Sequence, residues 1–306
     1  MSLKTETSSQ IDINMKNKTS HSPWAIARRK FMKNKVAMIS FVILMIIITL
    51  ALLAPIIATS DITKINVLEA SQPPSADHWL GTDKGGRDVF TLVLHGGRTS
   101  LMVGFMCTVF IMLIGTTLGL LAGFYGGWLD TFIMRIVDFV LILPFYVFVI
   151  ALNGILVKNS VVGGVWLLII VISALSWGGA TRMVRSKVLA EKENEYIMAA
   201  KSIGNSSFKI MFKHLLPNVI SIVIVQATLL FAGMIVAEAG LTFLGFGVPQ
   251  SEPSWGNMLS SARQSDILQN KVWMWIPPAV LISVTILCIN FIGEGLKDAF
   301  NPKSSK

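Results

Sequence analysis

Three ionisable residues lie inside long apolar segments of the chain. Arg135 and Asp138 are three positions apart in MRIVDFVLILP, and Glu238 lies within a later apolar run. A charged side chain is costly inside a membrane unless it meets a partner or water. Because residues three apart on a helix are neighbours, Arg135 and Asp138 are expected to form a structural ion pair, with direct contact to a substrate as the alternative. Glu238 is expected either to line a polar path or to lie at an outer interface.

A glycine-rich stretch with charged residues, GTDKGGRD, occupies positions 81 to 88. Phosphate-binding loops are also rich in glycine, but the pattern G-x-x-x-x-G-K-[ST] is absent from the whole sequence. The stretch is therefore interpreted as an exterior turn that shapes the mouth of a path. The residues expected to form this mouth are Gly81, Asp83, Gly86, Arg87 and Asp88.

The reactive residue types show no arrangement that predicts catalysis. Cys107 and Cys288 lie inside apolar runs, where a thiol behaves as a small hydrophobe. The four histidines lack the spacing of metal ligands: His21, His78, His95 and His214. Since no nucleophile has a neighbouring base either, the sequence predicts a protein that is not an enzyme, with no metal or cofactor of its own.

The composition indicates a membrane protein. Hydrophobic residues make up 53% of the 306 residues and charged residues only 14%, with a mean hydropathy of +0.66. The net charge of +9 would raise the question of nucleic acid in a soluble protein. Here, however, lysine and arginine cluster between apolar runs, as in the cytoplasmic loops of membrane proteins. Membrane lipid is therefore the expected surrounding, and nucleic acid is not an expected partner.

Six stretches are long enough to cross a membrane as helices, which takes about 20 apolar residues each. They span residues 36–58, 99–124, 129–152, 161–181, 218–240 and 274–293. The first run is too long for the apolar core of a secretory signal, so it is interpreted as an uncleaved anchor. The sequence thus predicts an all-α, polytopic membrane protein with six transmembrane helices.

Basic residues orient this bundle. Residues 1–35 carry eight lysines and arginines against Glu6 and Asp12, and residues 182–217 carry seven basic residues. The three other loops, 59–98, 153–160 and 241–273, share seven. Because basic loops remain in the cytoplasm, both termini and the loop 182–217 are expected inside. The predicted organisation comprises a partly disordered cytoplasmic segment 1–35, a first transmembrane helix 36–58, an extracellular loop 59–98, a five-helix core 99–293 and a cytoplasmic tail 294–306.

The segment EYIMAAKSIGNSSFKIMFKHLLPN, residues 195–218, predicts two short amphipathic helices about a hinge. Gly204 is expected to end the first helix in a left-handed conformation, Asn205 or Ser206 to cap the second, and Pro217 to end it. The two apolar stripes follow helical spacing: Tyr196, Ala199, Ala200 and Ile203, then Phe208, Met211, Phe212, Leu215 and Leu216. Such helices are typical either of a loop on the membrane surface or of a docking element for a partner.

The spacing of this segment resembles the cytoplasmic signature of ABC importer permeases, a Glu-Ala-Ala triplet, three residues, Gly, nine residues, then Ile-x-Leu-Pro. Met198 and His214 stand where that signature has Glu and Ile, and the ending KHLLPN is similar to the peptide and nickel branch. The resemblance extends over nearly the whole chain, through HWLGTDKGGRDVF, GGRTSLMVG, MRIVDFVLILP, AEAGLTFLGFGVPQSEPSWGNML and NFIGEGLKDAFNP. The chain is therefore identified as a member of the dipeptide, oligopeptide and nickel permeases, of the C type.

This resemblance implies a type I ABC importer permease fold in the bacterial plasma membrane. The helices between spans four and five would be coupling helices that dock two separate ATPase subunits, which would carry ATP and Mg. The docking residues implied are Tyr196, Ala199, Ala200, Gly204, Phe208, Met211, Phe212, His214, Leu216 and Pro217. A second, similar permease would complete the path, and an extracellular binding protein would meet the 81–88 mouth.

The implied cargo is dipeptides or oligopeptides. A permease for nickel or a metal chelate is the alternative within the family. An ion-gradient-driven secondary transporter is the alternative from another class, and it would predict inverted repeats that are not evident in the sequence.

Overall fold

The structure is a computed structural model that describes residues 23–62, 64–159 and 163–301. The expected disorder near the N-terminus and the last residues of the C-terminal tail lie outside these ranges. The described residues are mostly helical, and the one isolated β-bridge among them joins Thr82 to Asp88. The predicted all-α fold class is confirmed.

The helices follow one another along the chain with short connections. The first half contains α1 Pro23–Lys33, α2 Lys35–Leu52, α3 Ala54–Ile57, α4 Val89–Tyr125, α5 Gly127–Ile142 and α6 Phe145–Asn159. The second half contains α7 Gly164–Lys192, α8 Glu195–Ser202, α9 Ser207–Ile210, α10 Leu216–Phe243, α11 Trp255–Ser260, α12 Ser265–Asn270 and α13 Ile276–Phe300. Short 3-10 segments lie at Val67–Glu69, Ser261–Arg263 and Val272–Met274.

Five helices are individually long and apolar enough to cross a membrane: α2, α4, α7, the run Ser207–Phe243, and α13. The helices α5 and α6 qualify only as a pair, bent by 87° where they meet. Leu143 is extended there (φ −66°, ψ 129°), as the residue before a proline prefers, and Pro144 has no N–H with which to continue the helix. The span predicted over residues 129–152 is therefore broken within its length.

The direction of α4 and α7 shows that the bent pair crosses the bundle. Gly115 of α4 faces Ala180 of α7, and Gly123 faces Val188, so the two helices run parallel. The chain must return to the opposite face between two parallel spans, and the described helices between them are α5 and α6. The bundle therefore has six spans, as the sequence predicts.

Contacts between the two ends of the described chain agree with an even number of spans. The rings of Trp24 in α1 and Phe300 in α13 pack edge to face at 5.3 Å. The Lys30 ammonium donates a hydrogen bond to the Asn301 carbonyl oxygen at 3.3 Å. Both ends thus lie at one face of the bundle, which is called the terminal face below.

Some helix bounds differ from those predicted by hydropathy. Helix α4 begins at Val89, ten residues before the predicted start, with Asp88 as its N-cap. The early turns contain His95, Gly96, Gly97 and Arg98, which lower the local hydropathy although the backbone is helical. Helix α7 continues to Lys192, so the residues after Thr181 extend a helix rather than begin a loop.

The helices α4 and α7 make the most extensive contact in the bundle, and glycines line it. A methyl group added at Gly119 would lie 2.7 Å from the Val184 Cβ and 2.8 Å from the Thr181 carbonyl oxygen. Without a hydrophobic driving force between helices in lipid, such small-residue contacts are a main source of helix association. The hydrophobic core built on this contact also contains Ile197 and Leu215, from the segment that follows α7.

We expect Gly119→Ala to force α4 and α7 apart and to lower the free energy of unfolding by about 1–3 kcal/mol, the usual cost of overpacking. The measurement is the thermal unfolding midpoint of the purified protein in detergent. Gly179→Ala is the matched control, because Gly179 lies on α7 with no atom within 4 Å of an added methyl group. Equal midpoints for the two variants would contradict the packing argument.

Candidate functional site

The segment between α7 and α10 forms a compact element at the terminal face. Lys192, the last residue of α7, donates a hydrogen bond to the carbonyl oxygen of Phe124 at 2.6 Å. The ammonium groups of Lys192 and Lys201 each lie 5.9 Å from the centre of the Phe124 ring. The ends of α4 and α7 therefore support helix α8 directly.

The turn between α8 and α9 has the conformation that the sequence predicts. Gly204 has a φ of +80°, and its N–H donates to the Lys201 carbonyl oxygen at 2.9 Å. The Asn205 N–H donates to the Ala200 carbonyl oxygen at 3.2 Å, which completes a Schellman motif. The Ser206 hydroxyl oxygen accepts a hydrogen bond from the Lys209 N–H at 3.4 Å and caps α9.

The buried face of this element differs from the predicted stripe. Ile197 and Ala200 are the buried residues of α8, whereas Tyr196, Ala199 and Ile203 are exposed. The reason is that α8 carries apolar residues on two sides, and periodicity alone does not decide which side packs inward. Three of the four residues of the predicted stripe therefore lie on the exposed side of α8, and Ala200 lies on the buried side.

The helical turns that follow α8 also have one buried and one exposed apolar side. Ile210, Met211 and Leu215 are buried beneath the element, while Phe208 and Phe212 are exposed with their ring centres 4.4 Å apart.

Four large apolar side chains are exposed on the outward surface of the element. Ile203 is 79% exposed, Phe208 67%, Met198 53% and Phe212 49%. A grouped apolar surface of this kind marks an interaction site when no element of the chain covers it. Met198 is missing from the predicted docking residues. The methionine at this position, where the broad signature has a charged glutamate, is the feature of the sequence that could have indicated an apolar contact. These four residues are called the apolar cap below.

Tyr196 ties three helices together beside the apolar cap. Its hydroxyl donates to the Glu191 carboxylate at 3.1 Å and accepts from the Asn218 side-chain N–H at 3.0 Å. The same Asn218 amide donates to the His214 carbonyl oxygen at 2.8 Å. Partial burial raises the pKa of the Tyr196 phenol, and the neighbouring Glu191 carboxylate raises it further. Glu191 and Asn218 were not predicted, because nothing in their spacing shows that they meet.

Pro217 does not end the second helix, contrary to the prediction. The run from α9 continues through a π-helical turn, Met211–Leu215, into α10. The Leu216 N–H donates to the Met211 carbonyl oxygen, five residues back. The wider turn accommodates the missing N–H of Pro217, which falls in the first turn of α10. His214 and Leu216 are half-buried in this region, and Pro217 is exposed.

The structure does not form the predicted ion pair between Arg135 and Asp138. Asp138 instead accepts a hydrogen bond from the Arg182 guanidinium at 2.6 Å. Asp130, near the start of α5, is held by Arg185 through two hydrogen bonds. Both carboxylates of α5 are thus paired with arginines of α7. Within the described part of the chain, no ion pair or hydrogen bond of the Arg135 side chain is found, and this side chain is exposed.

Glu238 is fully buried, at neither an interface nor an open path. Its carboxylate accepts hydrogen bonds from the hydroxyls of Ser100 at 2.8 Å and Thr242 at 2.9 Å. The Ser100 oxygen in turn accepts from the Trp255 N–H at 3.1 Å. The carboxylate therefore fastens α11 and the segment before it to α4 and α10. We call this arrangement the Glu238 clasp.

The 81–88 turn is held by its own polar side chains. Asp83 accepts hydrogen bonds from the N–H groups of Gly85 and Arg87, and its other oxygen accepts from the Arg87 side chain at 2.8 Å. Asp88 caps α4 by accepting from the Thr91 N–H at 2.8 Å.

Gly81 and Gly86 each have a φ of +72°, and a methyl group at Gly86 would lie 1.9 Å from the Asn66 carbonyl oxygen. The turn borders an open polar cavity of about 540 Å³ at the face opposite the terminal face, with Lys84 and Arg263 among its lining residues. In the described ranges, no group of three or more His, Cys, Asp or Glu residues is placed to hold a metal ion.

Comparison with known proteins identifies relatives over nearly the whole chain. Residues 115–306 match the family described as binding-protein-dependent transport system inner membrane component, and residues 22–74 match the N-terminal transmembrane domain of oligopeptide transport permease C. A dipeptide transport system permease protein of Alkalihalophilus pseudofirmus is 41% identical over 93% of this chain and 91% of its own length. An oligopeptide transport system permease protein of Bacillus subtilis is 37% identical over 95% of this chain and 93% of its own length.

We expect Gly204→Ala to loosen the turn between α8 and α9, because a left-handed conformation costs an L-residue about 1–2 kcal/mol. No atom lies within 4 Å of the added methyl group, so the effect acts through the backbone alone. The measurement is amide hydrogen exchange of residues 200–206, which should become faster.

Two further variants control for this effect. Gly204→Asn should change exchange less, since asparagine tolerates the left-handed region. Gly233→Ala on α10, where the added methyl also meets nothing within 4 Å and φ is ordinary, should leave exchange at residues 200–206 unchanged. Exchange of residues 200–206 in Gly204→Ala that is no faster than in the unmodified protein would refute the role assigned to this glycine.

Proposed function

Because the chain belongs to the binding-protein-dependent transport system inner membrane component family of ABC importer permeases, we propose that it translocates dipeptides or oligopeptides as one permease subunit of such an importer. The family comprises transport subunits, not enzymes. The cargo rests on relatives named for dipeptide and oligopeptide transport that align with more than nine tenths of the chain. Nickel or a metal chelate remains the alternative cargo.

The observation that carries the proposal is the apolar cap on α8 and α9. One set of apolar side chains anchors these helices to the bundle, and a second set, including Ile203 and Phe208, points away from it. An amphipathic helix with a free apolar face is suited to a groove in a partner. We assign this groove to separate ATPase subunits, two per importer, which would bind ATP and Mg.

The orientation follows from the same element. The apolar cap and both ends of the described chain share the terminal face, and basic residues are concentrated there. We therefore place the terminal face in the cytoplasm of a bacterium, in its plasma membrane. The 81–88 turn and its polar cavity then face outward, where a substrate-binding protein would deliver the peptide. A second, similar permease would form the other wall of the path.

In this arrangement, closure of the ATPases on ATP moves the apolar cap. The movement enters α10 through the π-helical turn without an intervening loop. The far part of α10 carries Glu238, which is bonded through Ser100 to α4 and the α11 segment. The cytoplasmic movement is thereby conveyed to the outer end of the bundle, as alternating access requires.

Uptake in a deletion strain tests the cargo. Removal of this chain should abolish import of a labelled dipeptide or of a longer peptide and leave nickel import unchanged, and the restored gene should recover peptide import. Loss of nickel import alone would overturn the peptide assignment in favour of the alternative.

We expect Phe208→Glu to release the ATPases without unfolding the permease, because the side chain is 67% exposed. Burial of a phenylalanine contributes about 1.5–3 kcal/mol, which corresponds to about tenfold or more in affinity. The measurement is the amount of ATPase that co-purifies with the tagged permease, together with its peptide-stimulated ATP hydrolysis. Leu68→Glu is the matched control, an exposed apolar residue (92%) at the other face. Undiminished ATPase with Phe208→Glu would refute docking at the cap.

A further inference from the structure

Arg135 is left with a surplus positive charge by the ion pairs around it. Asp130 of α5 forms an ion pair with Arg185 of α7, and Asp138 of α5 forms one with Arg182 of α7. Among the residues that the structure describes, no carboxylate forms an ion pair with the Arg135 guanidinium. The adjoining surfaces of α5 and α7 around these five residues thus have three arginines for two carboxylates.

The surface around Arg135 combines exposed charged groups with exposed aromatic rings. The Arg182 and Asp138 side chains are 55% and 50% exposed, although they form an ion pair. Exposed charges within a membrane bundle normally face a water-filled cavity or another protein chain. Phe132 and Phe139, one turn to either side of Arg135, are also exposed. This mixed surface of guanidinium groups and aromatic rings suits the wall of a path that admits amphipathic solutes.

Arg135 lies about midway along α5, away from the terminal face. It is the ninth residue of α5, about 12 Å along the helix axis from Gly127. Helix α5 follows α7 in the opposite direction, since Asp130 meets Arg185 near the terminal face and Leu141 meets Gly178 farther in. The surplus charge therefore stands between the element with the apolar cap and the bend at Pro144.

A peptide importer that accepts many side chains can recognise only what all peptides share, which is the backbone and the two termini. The C-terminal carboxylate is the one anion present on every free peptide. A guanidinium group binds a carboxylate through two parallel hydrogen bonds, which lysine does not reproduce. We propose that Arg135 binds the C-terminal carboxylate of the peptide during translocation. This inference rests on the peptide-import function proposed above.

The test uses the complete importer in proteoliposomes, with its second permease, ATPases and saturating binding protein. Initial uptake is measured for one labelled tripeptide with a free C-terminus and for the same tripeptide as its C-terminal amide. Arg135→Gln should lower uptake of the free acid relative to the amide by about tenfold or more, the scale of a charge-assisted hydrogen-bonded pair. Arg135→Lys should give an intermediate ratio. The binding protein is the same throughout, so a changed ratio arises in the permease.

Arg98→Gln is the matched control, because Arg98 is another exposed arginine of a long helix but lies on α4, in the half of that helix away from the terminal face. It should leave the ratio of acid to amide unchanged. An equal fall of both peptides in Arg135→Gln would overturn the inference and assign the arginine to a structural pair with the second permease. An unchanged ratio would overturn it as well. Failure of the unmodified importer to take up either peptide would instead refute the peptide-import function itself.

Discussion

The close contact between α4 and α7 is the constraint on which the rest of the bundle depends. Gly115, Gly119 and Gly123 occur at every fourth position, so one face of α4 has no side chains to keep α7 away. Because the two helices run in the same direction, α5 and α6 have to return the chain across the bundle. That return places the carboxylates of α5 beside the arginines of α7.

The polar groups inside the bundle are satisfied by partners distant in sequence. The Asp138 carboxylate meets an arginine 44 positions away, and Glu238 meets a serine 138 positions away. The buried Glu238 carboxylate accepts hydrogen bonds from hydroxyl groups, and no cation lies beside it among the residues that the structure describes. Through these hydrogen bonds it connects α4, α10 and α11 at one point. A buried carboxylate without such donors would be strongly destabilising. These contacts set the relative positions of helices whose apolar surfaces alone would allow several arrangements.

The sequence predicts those features that follow from a local or a global constraint. About 20 apolar residues are needed per crossing, so hydropathy finds the six spans, and Gly204 is recognisable because a left-handed turn favours glycine. Pro144 predicts that the helix is interrupted after Leu143, but it does not predict the 87° angle of the bend. The inward side of α8 is not predictable either, because Ile197 and Ile203 lie on different sides and are equally apolar. Packing against the rest of the bundle decides between them.

The run Ser207–Phe243 is 37 residues long and contains no loop, so it forms one continuous helical segment of about 55 Å. A tilt of about 5° at one end of such a lever displaces the other end by about 5 Å. A small rotation under Phe208 is thus magnified before it reaches Glu238, which the Ser100 hydroxyl of α4 connects to the Trp255 backbone N–H of α11. The π-helical turn lies near the end of the run that carries Phe208. A change in helical pitch at this turn therefore displaces the far end of the run by the largest distance.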